Sequence, residues 1–141
     1  IEGIRDYFES ILENVTLIDD FDVYGHLDYV VRYCPSGEKI FRMADYNDVL
    51  EQIFKIIIPK AKGIEINTGS LYKNMSYAHP HMDILKLYKD MGGEIITVGS
   101  DAHKPEYLCY DFETYARDAL TSLGYRYYCT FKNRKPEFNP L

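Results

Sequence analysis

Cysteine, basic runs and long apolar runs are all scarce in this chain of 141 residues. The three cysteines, Cys34, Cys109 and Cys129, are an odd set without a CxxC spacing, which excludes a disulfide framework or zinc knuckle and fits a reducing cytoplasm. Basic residues number 16 against 22 acidic ones, for a net charge of −6, and the only loose basic stretch is Lys132–Lys135. Duplex binding rests on clustered Lys and Arg that neutralise phosphates, so no nucleic-acid partner is expected. An acidic chain that handles a phosphate needs metal ions to offset the repulsion. No apolar run approaches the roughly 18 residues of a membrane span, so no membrane partner is expected. No repeat, low-complexity tract or linker divides the chain, and its length suits one domain or part of a larger one. The opening IEGIRDYFES has neither an initiator Met nor a signal-peptide layout, so an interior piece of a longer protein is expected.

What is present suffices for a packed core: 46% hydrophobic residues, with 14 Tyr and 7 Phe among them. Ile4, Phe8, Ile11, Leu12 and Val15 fall on one helical stripe and predict a helix over 4–15. Phe21–Tyr24 reads as a short strand ending at Gly25-His26, with FDVYGHLDYVVRY as one longer extended segment the alternative. Tyr46, Val49, Leu50, Ile53, Phe54, Ile57 and Ile58 repeat at helical spacing, with Asp45 placed to cap the first turn and Pro59 to stop it. Ile64–Asn67 alternates as a strand, Ile84–Met91 is a helix closed by Gly92-Gly93, and Glu94–Val98 is a strand. Phe112–Leu123 is a helix ended by Gly124, Tyr127–Phe131 is a last strand, and Lys132–Leu141 is a loosely held tail. Helices alternating with strands that start about 30 to 40 residues apart predict an α/β fold around a parallel sheet of four strands. That sheet is either a small open one or part of a barrel, whose open edge something must cover.

In such sheets ligands sit beyond the carboxyl ends of the strands. His26 follows the first strand, Asn67 ends the second, and Asp101 and His103 follow the third, so polar residues converge on one rim. Asp101 and His103, two positions apart, project to one side and suit Zn²⁺, Mn²⁺ or Fe²⁺, although Ser100–His103 also reads as a plain polar turn. His26 alone is equally an ordinary loop histidine. Glu65 and Asn67 share a face that points inward in a barrel or outward on an edge strand. His79-Pro80-His81 is the sole HxH, but it leads into a helix, where Pro is a normal first residue, and a metal role is not expected of it.

FDVYGHLDYVVRY, GIEINTGSL and MGGEIITVGSDAHKPEYL, in register with the helix after them, resemble the C-terminal half of a histidinol-phosphatase-like member of the PHP (polymerase and histidinol phosphatase) superfamily. The resemblance covers roughly residues 15 to 132, with GHLD and SDAH about 75 residues apart. It implies about four βα units of a distorted seven-stranded (β/α) barrel, residues 1–141 being the C-terminal part of one domain whose N-terminal part lies elsewhere. It implies up to three divalent ions, with His26, Asp101 and His103 as metal ligands and Asp101 and His103 as the catalytic pair. Arg32 in GHLDYVVR is the implied phosphate contact, and Asn67 of E-x-N-T lines the pocket. Relatives often place an arginine where this chain has Tyr72 followed by Lys73, which leaves the exact substrate open.

The activity so implied is hydrolysis of a small phosphate monoester, histidinol phosphate in histidine biosynthesis, by in-line attack of an activated water. Alternatives are a phosphoesterase for another small ester and a non-catalytic interaction module. Three ligands cannot hold a three-metal cluster, so this chain alone is expected to be inactive. A homodimer through the open sheet edge is a further expectation.

Overall fold

The computed structural model describes residues 2–35 and 37–141. Helix α1 (Glu2–Leu17) buries Ile4, Phe8, Ile11 and Val15, the stripe that its periodicity marks. Strand β1 (Val23–Tyr24) follows, then a 3₁₀ turn over Tyr29–Tyr33, a one-turn helix α2 (Gly37–Ile40) and a second 3₁₀ turn over Met43–Tyr46. Helix α3 (Asn47–Ile57) sets Val49, Leu50, Ile53, Phe54 and Ile57 in the core. Asp45 does not cap it: its carboxylate is taken by Arg42 at 3.1 and 3.2 Å, because the 3₁₀ turn places Asp45 outside the helix start. Arg5 of α1 donates to both carboxylate oxygens of Asp48, at 3.1 and 3.0 Å, and to the Asp45 carbonyl at 2.7 Å, and so fastens α1 to α3.

Strand β2 (Gly63–Asn67) is central, flanked by β1 and by β3 (Ile96–Gly99), both parallel to it. Ile64 and Ile66 are fully buried, as befits a parallel strand covered on its faces. Helix α4 (Met82–Asp90) connects β2 to β3 and ends near Gly92, whose φ of +93° is the left-handed conformation expected there. Between β3 and helix α5 (Arg117–Ser122), the expected helical segment opens with a π-helical turn over Phe112–Ala116.

The fourth strand departs from expectation. Strand β4 (Tyr127–Lys132) does not join the parallel sheet; it pairs antiparallel with β5 (Lys135–Pro140), so the tail is an ordered strand and the parallel sheet has three members among the described residues. Asn133 and Arg134, at φ +50° and +63°, form the two-residue turn that makes the hairpin. With Lys132 opposite Lys135, the alternation of paired positions leaves Pro136 and Pro140 where no ladder N–H is needed. Arg134 at the tip reaches Asp20 and Asp22 just before β1, at 2.5 and 2.9 Å.

Candidate active site

Because β1, β2 and β3 are parallel and adjacent, their carboxyl ends open on one rim. His26 lies just past β1, Asn67 is the last residue of β2, and Asp101 and His103 leave β3. A cavity of about 430 Å³ lined by Lys89, Glu94, Tyr125, Arg126, Tyr127 and Phe138 holds none of these residues.

Glu65 ties the three strand ends together. Its Oε2 accepts from the His26 backbone N–H at 3.2 Å and from the Asn67 side-chain amide at 3.3 Å. A methyl group on Gly99, which pairs with Asn67 in the register, would lie 2.4 Å from Glu65 Oε1, so the carboxylate uses the space that the glycine leaves. Of the two faces open to this alternating pair, Glu65 thus lies across the ends of its neighbours and faces the rim. Asn67 Oδ1 accepts from the Gly69 N–H at 2.9 Å, which caps the 3₁₀ turn over Thr68–Lys73.

His26 takes a positive φ of +28°, and its ring lies 4.4 Å from that of Tyr29. Its Nδ1 is buried without a hydrogen-bond partner. Arg32 sits one turn on, its guanidinium over the rings of Tyr29 and Tyr33 at 5.5 and 5.3 Å, with no carboxylate paired to it among the described residues. The Tyr29 hydroxyl is raised above its ordinary pKa first by its 2.7 Å hydrogen bond with Tyr33 and then by burial; Asp101 adds to the rise and Arg32 opposes it. Tyr72 is raised by burial first and by Asp101 next, again with Arg32 opposing. Arg32 and Asp101 therefore act on the same two tyrosines from opposite signs of charge. Asp101 and His103 are both exposed, Asp101 at a φ of +48°.

Two further residues of the rim carry no signal that periodicity could reveal. Asp28, wholly buried, lies 2.6 Å from Nδ1 of buried His79 and accepts from the His81 N–H at 2.9 Å. The backbone of His79 pairs both ways with Asn67, at 2.6 and 3.0 Å, so this segment is strapped to the end of β2. The carboxylate acceptor places the imidazole proton on Nδ1 and leaves Nε2 buried and unpartnered. His81 caps α4, its Nδ1 accepting from the Asp83 N–H at 3.2 Å, so the HxH is split between a buried pair and a helix cap. The motif GHLD itself was the available clue to Asp28.

Among the described residues no three His, Cys, Asp or Glu side chains converge as a metal site. His26 and Asp101 nevertheless offer the chemistry a divalent cation needs, a buried imidazole nitrogen without a protein partner and an exposed carboxylate.

Comparison with known proteins bears on this rim. Residues 1–69 match the PHP domain model. The histidinol-phosphatase of Lactococcus lactis subsp. lactis is 31% identical over 140 residues, 98% of this chain and 51% of that protein. A probable histidinol-phosphatase of Thermotoga maritima is 32% identical over 126 residues, 89% of this chain and 51% of that protein. The crystal structure of the Lactococcus lactis histidinol phosphate phosphatase, complexed with zinc, L-histidinol and phosphate, superposes with a TM-score of 0.78 at 31% identity, over 96% of this chain and 51% of that one. The chain spans about half the length of these relatives. With its polar rim at the carboxyl ends of parallel strands, the chain matches the PHP domain model over its first 69 residues and is similar, along nearly its whole length, to about half the length of relatives that bear the name histidinol-phosphatase.

Proposed function

We propose that this chain supplies part of the active site of a metal-dependent phosphomonoester hydrolase, acting on histidinol phosphate in histidine biosynthesis in the cytoplasm. The observation that carries this reading is the rim where Arg32, with no carboxylate partner among the described residues, lies over the Tyr29 ring and Tyr72 donates to the Asp101 carbonyl, beside an unpartnered His26 nitrogen. The Lactococcus lactis structure, complexed with zinc, L-histidinol and phosphate, supports the metal and substrate.

In this reading Arg32 grips the phosphoryl oxygens. Its planar fork is pre-oriented by the rings of Tyr29 and Tyr33, which leaves the N–H edge free for the phosphate. His26, Asp101 and His103 hold divalent ions, Zn²⁺, Mn²⁺ or Fe²⁺, up to three in the intact enzyme. When bound, such ions neutralise phosphoryl charge and lower the pKa of water, the chemistry that makes Asp101 and His103 the catalytic pair. Asn67 lines the pocket, its own amide already spent on Glu65 and Gly69. Residues 1–141 are then one part of a PHP barrel, the remaining ligands coming from the rest of the full-length protein, and this part alone turns over little or no substrate. The outer edge of β1 is covered by further strands of that barrel or by a second copy, which sedimentation of the full-length protein distinguishes.

The test is metal content and hydrolysis of histidinol phosphate and a generic aryl phosphate by the full-length protein, with Asp101→Ala as control. Preferred turnover of histidinol phosphate, bound metal, and loss of both in the variant is the expected result. Equal turnover of the two esters favours a general phosphoesterase, for which Tyr72 in place of an arginine is the motive. A metal-free, inactive protein overturns the enzyme reading.

A further inference from the structure

We infer that Tyr72 is a positioning residue that sets the turn carrying Asp101 and His103. The inference rests on the reading of those two residues as metal ligands. After β3 the backbone turns sharply at Ser100–Asp101, with Asp101 in the left-handed region. The Tyr72 hydroxyl donates to the carbonyl oxygens of both residues, at 2.7 Å to Ser100 and 2.8 Å to Asp101. One proton shared by two successive carbonyls fixes the orientation of both peptide planes, and with them the direction in which the Asp101 side chain leaves the chain.

The same side chain also holds the far side of the loop. Its ring stacks on Tyr107 with centroids 4.1 Å apart and planes 10° from parallel, and meets Tyr110 edge-on at 5.3 Å. Tyr107 closes the 3₁₀ turn Pro105–Tyr107 that follows His103. Asp101 and His103 therefore lie between two points of attachment to one tyrosine. The approach is close: a methyl group on Gly69 would stand 2.9 Å from the Ser100 carbonyl oxygen and 3.3 Å from the Tyr72 hydroxyl. Thr68 adds a parallel stitch, its hydroxyl donating to the Gly99 carbonyl at 3.3 Å. Tyr72 thus has its polar atom turned to the loop backbone.

Tyr72→Phe in the full-length protein keeps the ring stack and deletes only the two hydrogen bonds. Loss of a group that orients a metal ligand typically weakens metal affinity or activity by about 10- to 100-fold. The expected result is a loss of that size in Co²⁺ affinity, read from the visible absorption of the bound ion. At saturating Co²⁺, kcat for an aryl phosphate falls while KM stays within about twofold. The melting midpoint of the metal-free protein should stay unchanged. Unchanged Co²⁺ binding in Tyr72→Phe while Asp101→Ala loses it overturns the positioning role alone. Unchanged binding in both variants overturns the ligand reading beneath it. A raised KM with unchanged Co²⁺ binding makes Tyr72 a substrate contact, and a lowered metal-free midpoint with unchanged Co²⁺ binding makes it merely structural; both overturn the inference.

Discussion

The apolar layer where α1 meets α3 and the rim at the carboxyl ends of β1, β2 and β3 are held by opposite means. In the layer, Phe8, Ile11, Leu50, Ile53 and Phe54 are all buried, and each is held by many weak contacts at once. At the rim, a few directed hydrogen bonds set each position: Glu65 with His26, Asp28 with His79, Tyr72 with Ser100. Damage to the layer should therefore lower stability, whereas damage to the rim should misplace groups in a protein that still folds.

The largest effect is expected from Phe54→Ala. The ring is fully buried and meets Tyr88 at 5.2 Å, and truncating such a side chain costs about 3–5 kcal/mol through lost transfer energy and the cavity left behind. Urea unfolding should show that loss; a change under about 1.5 kcal/mol would mean the layer relaxes into the space and is not the rigid half of the comparison.

Asp28 tests the boundary, since it belongs to the rim by position and to the core by burial. Asp28→Ala leaves the buried His79 ring and the His81 N–H without their acceptor, at an expected cost of about 3 kcal/mol. Asp28→Asn keeps one acceptor oxygen and should cost roughly half as much. Equal losses in the two variants, measured by urea unfolding, would mean that the charge and second acceptor oxygen of Asp28 matter and its shape does not.

Gly99→Ala separates the two regions most cleanly. The added methyl would meet the far end of the flexible Glu65 side chain, which can swing away, so stability should change by less than about 1 kcal/mol. The swing removes the acceptor of the His26 N–H, so the phosphatase turnover proposed for the full-length protein should fall by about tenfold or more. A variant that keeps its turnover would show that Glu65 does not set His26.

The same contrast explains what the sequence reveals and what it hides. The stripe Ile4, Phe8, Ile11, Val15 and the repeat from Tyr46 to Ile57 are local periodicities, and both became buried helix faces. Parallel β1, β2 and β3 followed from the alternation of elements, and the strand order brought His26, Asn67, Asp101 and His103 to one rim. The β4–β5 hairpin escaped because Asn133-Arg134 lacks the glycine that usually marks a two-residue turn, and because Pro136 and Pro140 argue against a strand until the register is known. Asp28 with His79, and Tyr72 with Ser100, join residues 51 and 28 positions apart, and no local pattern records such a partner.

The smallest effect is expected where α1 and α3 are joined by charge. Arg5 pairs with Asp48 at the exposed margin of the apolar layer, and the hydrogen bond from the guanidinium holds the Asp48 carboxyl below its ordinary value of 3.8. A carboxyl lowered on folding contributes stability that is fully present above its unfolded pKa and is lost as pH falls through its folded value. Asp48→Asn should therefore lower the unfolding midpoint slightly at neutral pH, and the gap from the wild type should close as pH drops below about 4. Solvent screens the pair, so added salt should shrink the neutral-pH gap as well. No gap at neutral pH would instead assign the join to the contact between Arg5 and the Asp45 carbonyl, which Asp48→Asn leaves in place, making the margin of the layer depend, like the rim, on a backbone acceptor.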